Sequence, residues 1–402
     1  MKRKIAAIDV GTTKVCTIMG TLDSSSGLRI LGVGIAPSHG IEKALVANVT
    51  QAKESIRQSV KKAEMMAGYR LDSAYIGVTG KHISSMNNRG TIAITKSDQL
   101  VRPDDLKRVL DVALNIKAPA DRKMLHVIPR AYMLDGHEVK NPVGMHGYEL
   151  NVEAHVITAA VASVQNLTKC INAVGIEIDD LVLEPLASAE AVLTEEEKQA
   201  GVLIADIGGG TTDIAVMKDG SIYHTSVLPV AGHQITRDIA AGLGLSFELA
   251  EEMKKKYGTL IPAEEEEADK IIGENGHSVS YRDLCEIIRA RVEEMMRLVV
   301  LELPRTDYAR LIPAGIVLTG GCSNLPGIVE LTQSITRLPV RIGIPPTLNG
   351  VSNALLNDPA YATSVGLLLW KMKNENSASQ KWVETRQTGI KGFFASLLRL
   401  FR

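Results

Sequence analysis

The sequence predicts an α/β protein built from two similar halves, each a mixed sheet covered by helices. Three observations predict it. A strand–turn–strand unit recurs about half a chain apart, over 8–15 and again over 205–214. Apolar runs of strand length alternate with helical patterns between and after those units. The chain has 402 residues, more than one compact core usually holds, and 45% of them are apolar.

Composition narrows the function classes. Aromatics are only 4%, so the cores are aliphatic. Charged residues are 23% and the net charge is -1, which opposes a large nucleic-acid footprint, since that needs an excess of Lys and Arg. Cys16, Cys170, Cys285 and Cys322 lie far apart without CxxC spacing, and read as buried reduced thiols. Asp9 and a glycine turn interrupt the apolar run behind the basic N-terminus, so no secretory segment is expected. No run of eighteen apolar residues predicts a transmembrane helix. The expectation is a cytoplasmic protein whose membrane contact, if any, comes from an amphipathic element.

The elements follow in order. Residues 5–10 read as a buried strand, 11–14 as a sharp turn and 15–20 as the returning strand of a hairpin. A strand over 28–35, a helix over 50–67 with Ile56, Val60 and Ala63 on one face, and a strand over 74–79 come next. Between about 84 and 158 the texture changes. Short strands over 90–95, 126–134 and 154–158 surround a helix over 103–116, whose Pro103 and following acids suit a helix N-terminus. This predicts an inserted α+β subdomain. Helices over 163–174 and 186–193 flank a strand over 179–183, and a strictly apolar strand over 200–205 leads into the second unit. Helices over 232–243, 246–257 and 281–303 follow, and the acidic run 264–267 reads as a solvated loop or helix end. A strand over 314–318 and helices over 326–334 and 360–371 complete the body.

The two units carry phosphate chemistry. Asp9 and Asp206 end apolar strands, and glycines and paired threonines follow each: Gly11, Thr12, Thr13 in one, Gly208, Gly209, Gly210, Thr211, Thr212 in the other. Glycine turns let backbone N–H groups approach phosphate oxygens. Lys14 adds a point charge, and the two aspartates can hold a hydrated Mg²⁺, which takes few protein ligands. A strand ending in Gly320-Gly321 lets a base or ribose approach the backbone, and Glu184 places a carboxylate at a strand-to-helix junction. GxSxG and HExxH patterns are missing.

That order of motifs resembles the actin/Hsp70/sugar-kinase superfamily over nearly the whole chain. The resemblance implies an actin-like (ribonuclease H-like) fold, two domains with five-stranded mixed sheets facing each other across an ATP cleft. It implies phosphate loops at Asp9, Gly11, Thr12, Thr13, Lys14 and at Asp206, Gly208, Gly209, Gly210, Thr211, Thr212. Asp9 and Asp206 would face Mg²⁺ through water, and Gly320 and Gly321 would lie along the adenosine. Gly232 would open a helix at the cleft mouth, Glu251 and Lys254 would contact the nucleoside, and Glu184 would orient the attacking water.

A finer resemblance is to the FtsA family of bacterial cell-division proteins. Gly77-Val78-Thr79-Gly80-Lys81-His82-Ile83-Ser84 looks like that family's entry into its inserted subdomain 1C, with Asn87, Gly90, Asn141-Pro142, Gly144-Met145 and Leu150 in place. The resemblance implies subdomain 1A over 1–83 and 163–199, 1C over 84–162, 2A over 200–226 and 304–372, and 2B over 227–303. It also implies filaments of the chain with itself, ATP bound with weak or no hydrolysis, recruitment of later division proteins, and docking of the FtsZ C-terminal peptide on 2B, where Arg282, Arg289 and Arg291 could meet its acids. A linker over 373–388 then precedes a tail over 389–402. At 100° per residue, Ile390, Phe393, Phe394, Leu397, Leu398 and Phe401 share one face, and Lys391, Arg399 and Arg402 lie opposite. Three of the chain's four phenylalanines are in this tail, which reads as an amphipathic helix for anionic lipid. The family is placed at the inner face of the cell membrane, at the division site. A pilus-assembly relative and a soluble kinase or ATPase of the same fold are the alternatives; the first is not expected to carry such a tail, and a sugar kinase needs a catalytic Asp for the acceptor hydroxyl and a substrate pocket, for neither of which the sequence has a motif.

Overall fold

Backbone pairing repeats the duplication visible in the sequence. The computed structural model describes residues 3–23, 27–114, 119–261, 271–274, 277–304, 308–351 and 353–376. In the first half, Arg3–Val10, Lys14–Asp23 and Gly27–Pro37 form an antiparallel meander, and Ser73–Val78 and Glu177–Leu183 extend the sheet in parallel beyond the first strand. In the second half, Val202–Ile207, Thr212–Lys218 and Ser221–Leu228 form the meander, and Ile316–Thr319 and Val340–Ile342 extend it in parallel. The order is the same in both. The second sheet has the five strands expected; the first gains a sixth, the two-residue edge Asn349–Gly350. Val202–Ile207 is buried at every position, which explains its unbroken apolar run: both of its faces are covered.

Helices cover the sheets for local reasons. Val49–Ala67 starts where the Asn48 side chain accepts from the N–H groups of Thr50 and Gln51, and stops at Gly68 in the left-handed region. Its buried stripe is Ala52, Ile56, Val60 and Ala63. In the second half, Gly232–Leu243, Phe247–Tyr257 and Tyr281–Leu301 pack through Ile235, Ile239, Met253, Ile288, Val292 and Met295. The acidic run 264–267 lies outside the described residues.

The insertion forms its own sheet, in the order Ile83–Ala93, Glu149–Ala160, Arg122–Leu134, His137–Val139. Its strands begin several residues earlier than the apolar pattern suggests, because their outer halves are polar and exposed on one side. The helix Pro103–Ala113 packs on this sheet through Leu106 and Val109. The closest approach is at Gly90, where an added Cβ would stand 2.2 Å from the carbonyl oxygen of Val109. The sheet docks on the edge strand Ser221–Leu228 of the second half. Ser85 Oγ donates to the Thr225 carbonyl at 2.9 Å, His155 reaches Thr225 Oγ1 at 3.0 Å, and Arg130 stacks over the Tyr223 ring at 4.4 Å.

Two helices join the halves. Glu184–Val192 touches strands of both sheets, and Ala362–Asn376 packs along it. They meet backbone to backbone: a Cβ on Gly366 would fall 1.8 Å from the Ala187 carbonyl oxygen. The last helix runs to Asn376, past 373, where polar composition predicts the linker to begin. The predicted anchor over 389–402 lies outside the described residues, and among those residues no helix is long and apolar enough to cross a membrane.

Replacing Gly90 by Val is expected to destabilise the chain by about 3 kcal/mol, because neither backbone can yield enough to admit the side chain. Urea unfolding measures it; an unchanged midpoint would show that the helix can move away at little cost.

Candidate functional site: the cleft between the halves

Both loops at the cleft are closed by the same bond. Gly11 N–H donates to the Lys14 carbonyl at 3.0 Å, and Gly208 N–H donates to the Thr211 carbonyl at 3.0 Å. In the same register Asp9 faces Cys16 and Asp206 faces Asp213. This corrects the pairing by letters, in which Thr12-Thr13 matches Thr211-Thr212. Backbone geometry pairs Thr12-Thr13 with Gly209-Gly210, Lys14 with Thr211, and Val15 with Thr212. Thr212 therefore points inward like Val15. Its hydroxyl donates to the Val230 carbonyl at 2.7 Å, and it does not line the cleft.

The loops touch across the cleft. An added Cβ on Gly209 would meet Thr13 Cγ2 at 2.3 Å, and one on Gly210 would meet Thr12 Oγ1 at 2.4 Å. Two glycines opposite two threonines is what this closeness requires. Behind them opens a cavity of about 420 Å³, within the range of small-ligand sites. Asp9, Gly11, Thr12, Thr13, Lys14, Glu184, Asp206, Gly208, Gly209, Gly210, Thr211, Gly232, Glu251, Lys254, Gly320 and Gly321 all line it, so all but one of the cleft residues singled out in the sequence come together.

Each is held by identifiable partners. Lys14 Nζ donates to the Ala360 carbonyl at 2.6 Å and lies 4.8 Å from the centre of the Tyr361 ring. Gly232 starts its helix with an N–H bond to the Gly208 carbonyl, 3.1 Å, which ties the helix to the second loop. Lys254 Nζ donates to Glu251 at 2.6 Å, to Thr236 Oγ1 at 2.9 Å and to the Gly232 carbonyl at 3.1 Å. Gly320 sits at φ 82 against Asp206 and the Ile207 carbonyl, where a side chain has neither the conformation nor the room.

Residues not assigned from the sequence complete the site. Asp213 accepts from Thr79 and from Thr211, and Thr79 and Asp213 both line the cavity. Ser188 Oγ and Thr363 Oγ1 donate to Asp206 Oδ2, at 2.5 and 2.8 Å, and Ser364 Oγ donates to Asp9 Oδ2 at 2.7 Å. Asp213 lies within the second strand–turn–strand unit, 205–214, and could have been found as the cross-strand partner of Asp206. Thr363 and Ser364 had no signal, because their aspartate partners lie 157 and 355 residues away and arrive only through the fold.

The electrostatics are lopsided. Asp9, Glu184, Asp206 and Asp213 are all buried at this seam, with Lys14 the cation that acts on three of them. Burial pushes Asp213 up to about 8, reinforced by Asp206 and offset only in part by the Thr79 and Thr211 hydroxyls. Burial also raises Asp9, Asp206 and Glu184, the last well above the carboxylate range with its three acidic neighbours adding to it. Among the described residues no three of His, Cys, Asp and Glu converge closely enough to bind an ion directly. Under-neutralised carboxylates that do not converge suit a cation that keeps its waters, and the donor set fits Mg²⁺ carried on phosphate.

The fold and the cleft together define a two-domain actin-like protein with an extra domain inserted in its first half. Solved structures agree on the fold. A chain of the PilM–PilN type IV pilus biogenesis complex superposes with a TM-score of 0.65 at 15% identity, covering 91% of this chain and 98% of that one. MreB5 of Spiroplasma citri bound to ADP superposes with 0.53 at 15% identity, covering 95% and 98%. Sequence comparison is more specific. The family model for cell division protein FtsA matches residues 203–366, and that for the SHS2 domain inserted in FtsA matches 80–158. The FtsA of Pseudomonas aeruginosa is 42% identical over 380 residues, covering 93% of this chain and 90% of that protein. Those of Bacillus subtilis and Escherichia coli K12 are 35% and 33% identical, covering 93% and 97% of this chain and 85% and 95% of theirs. The chain belongs to the FtsA family of cell-division proteins.

The raised Asp213 gives a signed pH dependence. The folded protein keeps a proton that the unfolded chain has lost above about pH 4, so this contribution is full below that and is lost as pH rises through about 8. Ligand-free protein is expected to lose thermal stability between about pH 6 and pH 8, by at most about 1.4 kcal/mol per pH unit for this group. Asp213→Asn should flatten that decline. A wild-type melting temperature that rises over the range, or an Asn variant that falls in parallel, would remove Asp213 as the cause.

Proposed function

We propose that this chain binds ATP with Mg²⁺ in the cleft and works as a membrane tether for the division ring. The observation that carries the reading is the pair of equivalent loops, one from each half, meeting at a cavity of nucleotide size rimmed by acids and by Lys14, Lys254 and Lys255. In it Gly11, Thr12, Thr13 and Lys14 take the phosphates from one side, and Gly208, Gly209, Gly210 and Thr211 from the other. Asp9 and Asp206 hold Mg²⁺ through water; the ion supplies charge neutralisation for the phosphates when bound. Gly320 and Gly321 lie under the nucleoside, and Glu251 and Lys254, already locked to each other, fix its edge. Glu184 orients a water; burial and its acidic neighbours raise its pKa and so disfavour the ionised form that would act as a base, which accords with weak or no hydrolysis.

The body then serves assembly. In this reading the halves are subdomains 1A with the insertion 1C and 2A with 2B, and 2A includes the whole of the last helix, to Asn376. Nucleotide favours a closed form that polymerises, 2B takes the FtsZ C-terminal peptide, and later division proteins join. Arg291 on 2B is paired with Asp238 and Glu294, and Arg289 donates to the Leu260 carbonyl at 3.1 Å, so an acidic peptide must displace partners of this chain to use them. The tail, with Ile390, Phe393, Phe394, Leu397, Leu398 and Phe401 toward lipid, binds reversibly as one copy. Burial of each side chain is worth roughly 1.5–3 kcal/mol at most, reduced by partial depth and ordering. A filament presenting many tails holds firmly through effective concentration.

Two measurements test this. Lys14→Ala is expected to weaken binding of a fluorescent ATP analogue by about tenfold or more, about 1.4 kcal/mol; unchanged affinity would end the nucleotide assignment. Anionic vesicles should pellet the full chain with ATP and Mg²⁺ but not a chain ending at Asn376. Equal pelleting of the two would move the membrane contact elsewhere.

A further inference from the structure

We propose that Ser364 and Thr363, consecutive residues on the helix Ala362–Asn376, are positioning residues that set the two metal-facing aspartates, one in each half, for Mg²⁺·ATP. The inference rests on reading the cleft as a Mg²⁺·nucleotide site. It extends that reading to residues which no loop motif contains.

The geometry is specific. Neighbouring residues on a helix point about 100° apart, so a helix lying in the seam can aim one side chain at each half. Ser364 Oγ donates to Asp9 Oδ2 at 2.7 Å, and Thr363 Oγ1 donates to Asp206 Oδ2 at 2.8 Å. Ser188, from the other joining helix, also donates to Asp206 Oδ2 at 2.5 Å and lies 2.9 Å from Thr363 Oγ1. Every hydroxyl falls on the same oxygen of its aspartate. The other oxygen, Oδ1, carries no hydrogen bond in either residue among the described residues, and neither Oδ1 is one of the enclosed unpartnered polar atoms. Both Oδ1 atoms therefore open on the cavity that the two aspartates line.

The chemistry follows. A carboxylate that reaches a metal through water must present one oxygen at a fixed angle, and a carboxylate free to rotate about its Cβ–Cγ bond does not. Hydrogen bonds to the far oxygen hold it, as the outer partners of metal ligands generally do. Ser364 is fully buried, so its hydroxyl has no water as an alternative partner, while Thr363, at the cavity wall, is held between Asp206 and Ser188. Both donors come from one helical turn, so together they also tie Asp9 of one half to Asp206 of the other.

The test uses the full chain and compares wild type with Ser364→Ala, Thr363→Val and Thr363→Ser. ATP affinity is measured with Mg²⁺ and again with EDTA, beside the melting temperature. Wild type should bind ATP more tightly with Mg²⁺. Ser364→Ala and Thr363→Val should each cut that metal-dependent gain by about tenfold or more while leaving the EDTA affinity within about twofold, and Thr363→Ser should keep the gain. A gain that survives in both Ala and Val variants overturns the proposal. Equal loss with and without Mg²⁺ also overturns it, since the hydroxyls would then be structural. If wild type binds no ATP in either condition, the nucleotide reading itself falls and takes this inference with it. Should Ser364→Ala not fold, Thr363→Val, which conserves shape, decides.

Discussion

Four carboxylates buried around one lysine set the terms for everything at the seam. Water would solvate such groups well; a protein interior does so only through hydrogen bonds, neighbouring charge or protonation. All three are present. Lys14 acts on Asp9, Asp206 and Glu184, the Ser188, Thr363, Ser364, Thr79 and Thr211 hydroxyls donate to the aspartates, and Asp213 and Glu184 are pushed toward their neutral forms. Desolvation still outweighs these in each case. A site left so acidic in its own company has room for a positively charged guest, and the glycine loops around it offer N–H groups to an anion that would bring one.

The insertion is tied to the same seam. Its strand Arg122–Leu134 carries His126, whose Nε2 accepts from the Leu183 N–H at 3.0 Å, one residue before Glu184. The acceptor role places the ring proton on Nδ1, and burial holds the ring neutral by pushing its pKa down to about 4. The same ring packs edge-on against Trp370 of the last helix, 5.7 Å between centres. One side chain thus joins the inserted domain, the strand end that presents Glu184, and the helix that presents Thr363 and Ser364.

Much of this was legible in the sequence, and the failures have physical causes. Strands, helices and the insertion were readable because apolar periodicity reports burial, and 5–10, 50–67 and 232–243 match the observed elements to within two residues. Glycines that admit close backbone contact were readable from chemistry. The Thr211-Thr212 assignment failed by one residue because matching letters ignores which strand positions face one another. Ser188, Thr363 and Ser364 were illegible, since an isolated hydroxyl on an apolar helix has no periodic or spacing signature. The tail is the reverse case, a strong sequence pattern over 389–402 that lies outside the described residues.

The contact between Gly366 and Ala187 leaves the two joining helices no slack. A shift of the strand-to-helix junction at Glu184 is therefore passed on without compression to the helix beside it. That helix has 15 residues, and at about 1.5 Å each it is about 22 Å long. As a lever, a tilt of about 5° at its start carries its far end through about 2 Å. Any displacement of the junction at Glu184, which lines the cleft, would thus reach Asn376 enlarged by the length of the helix.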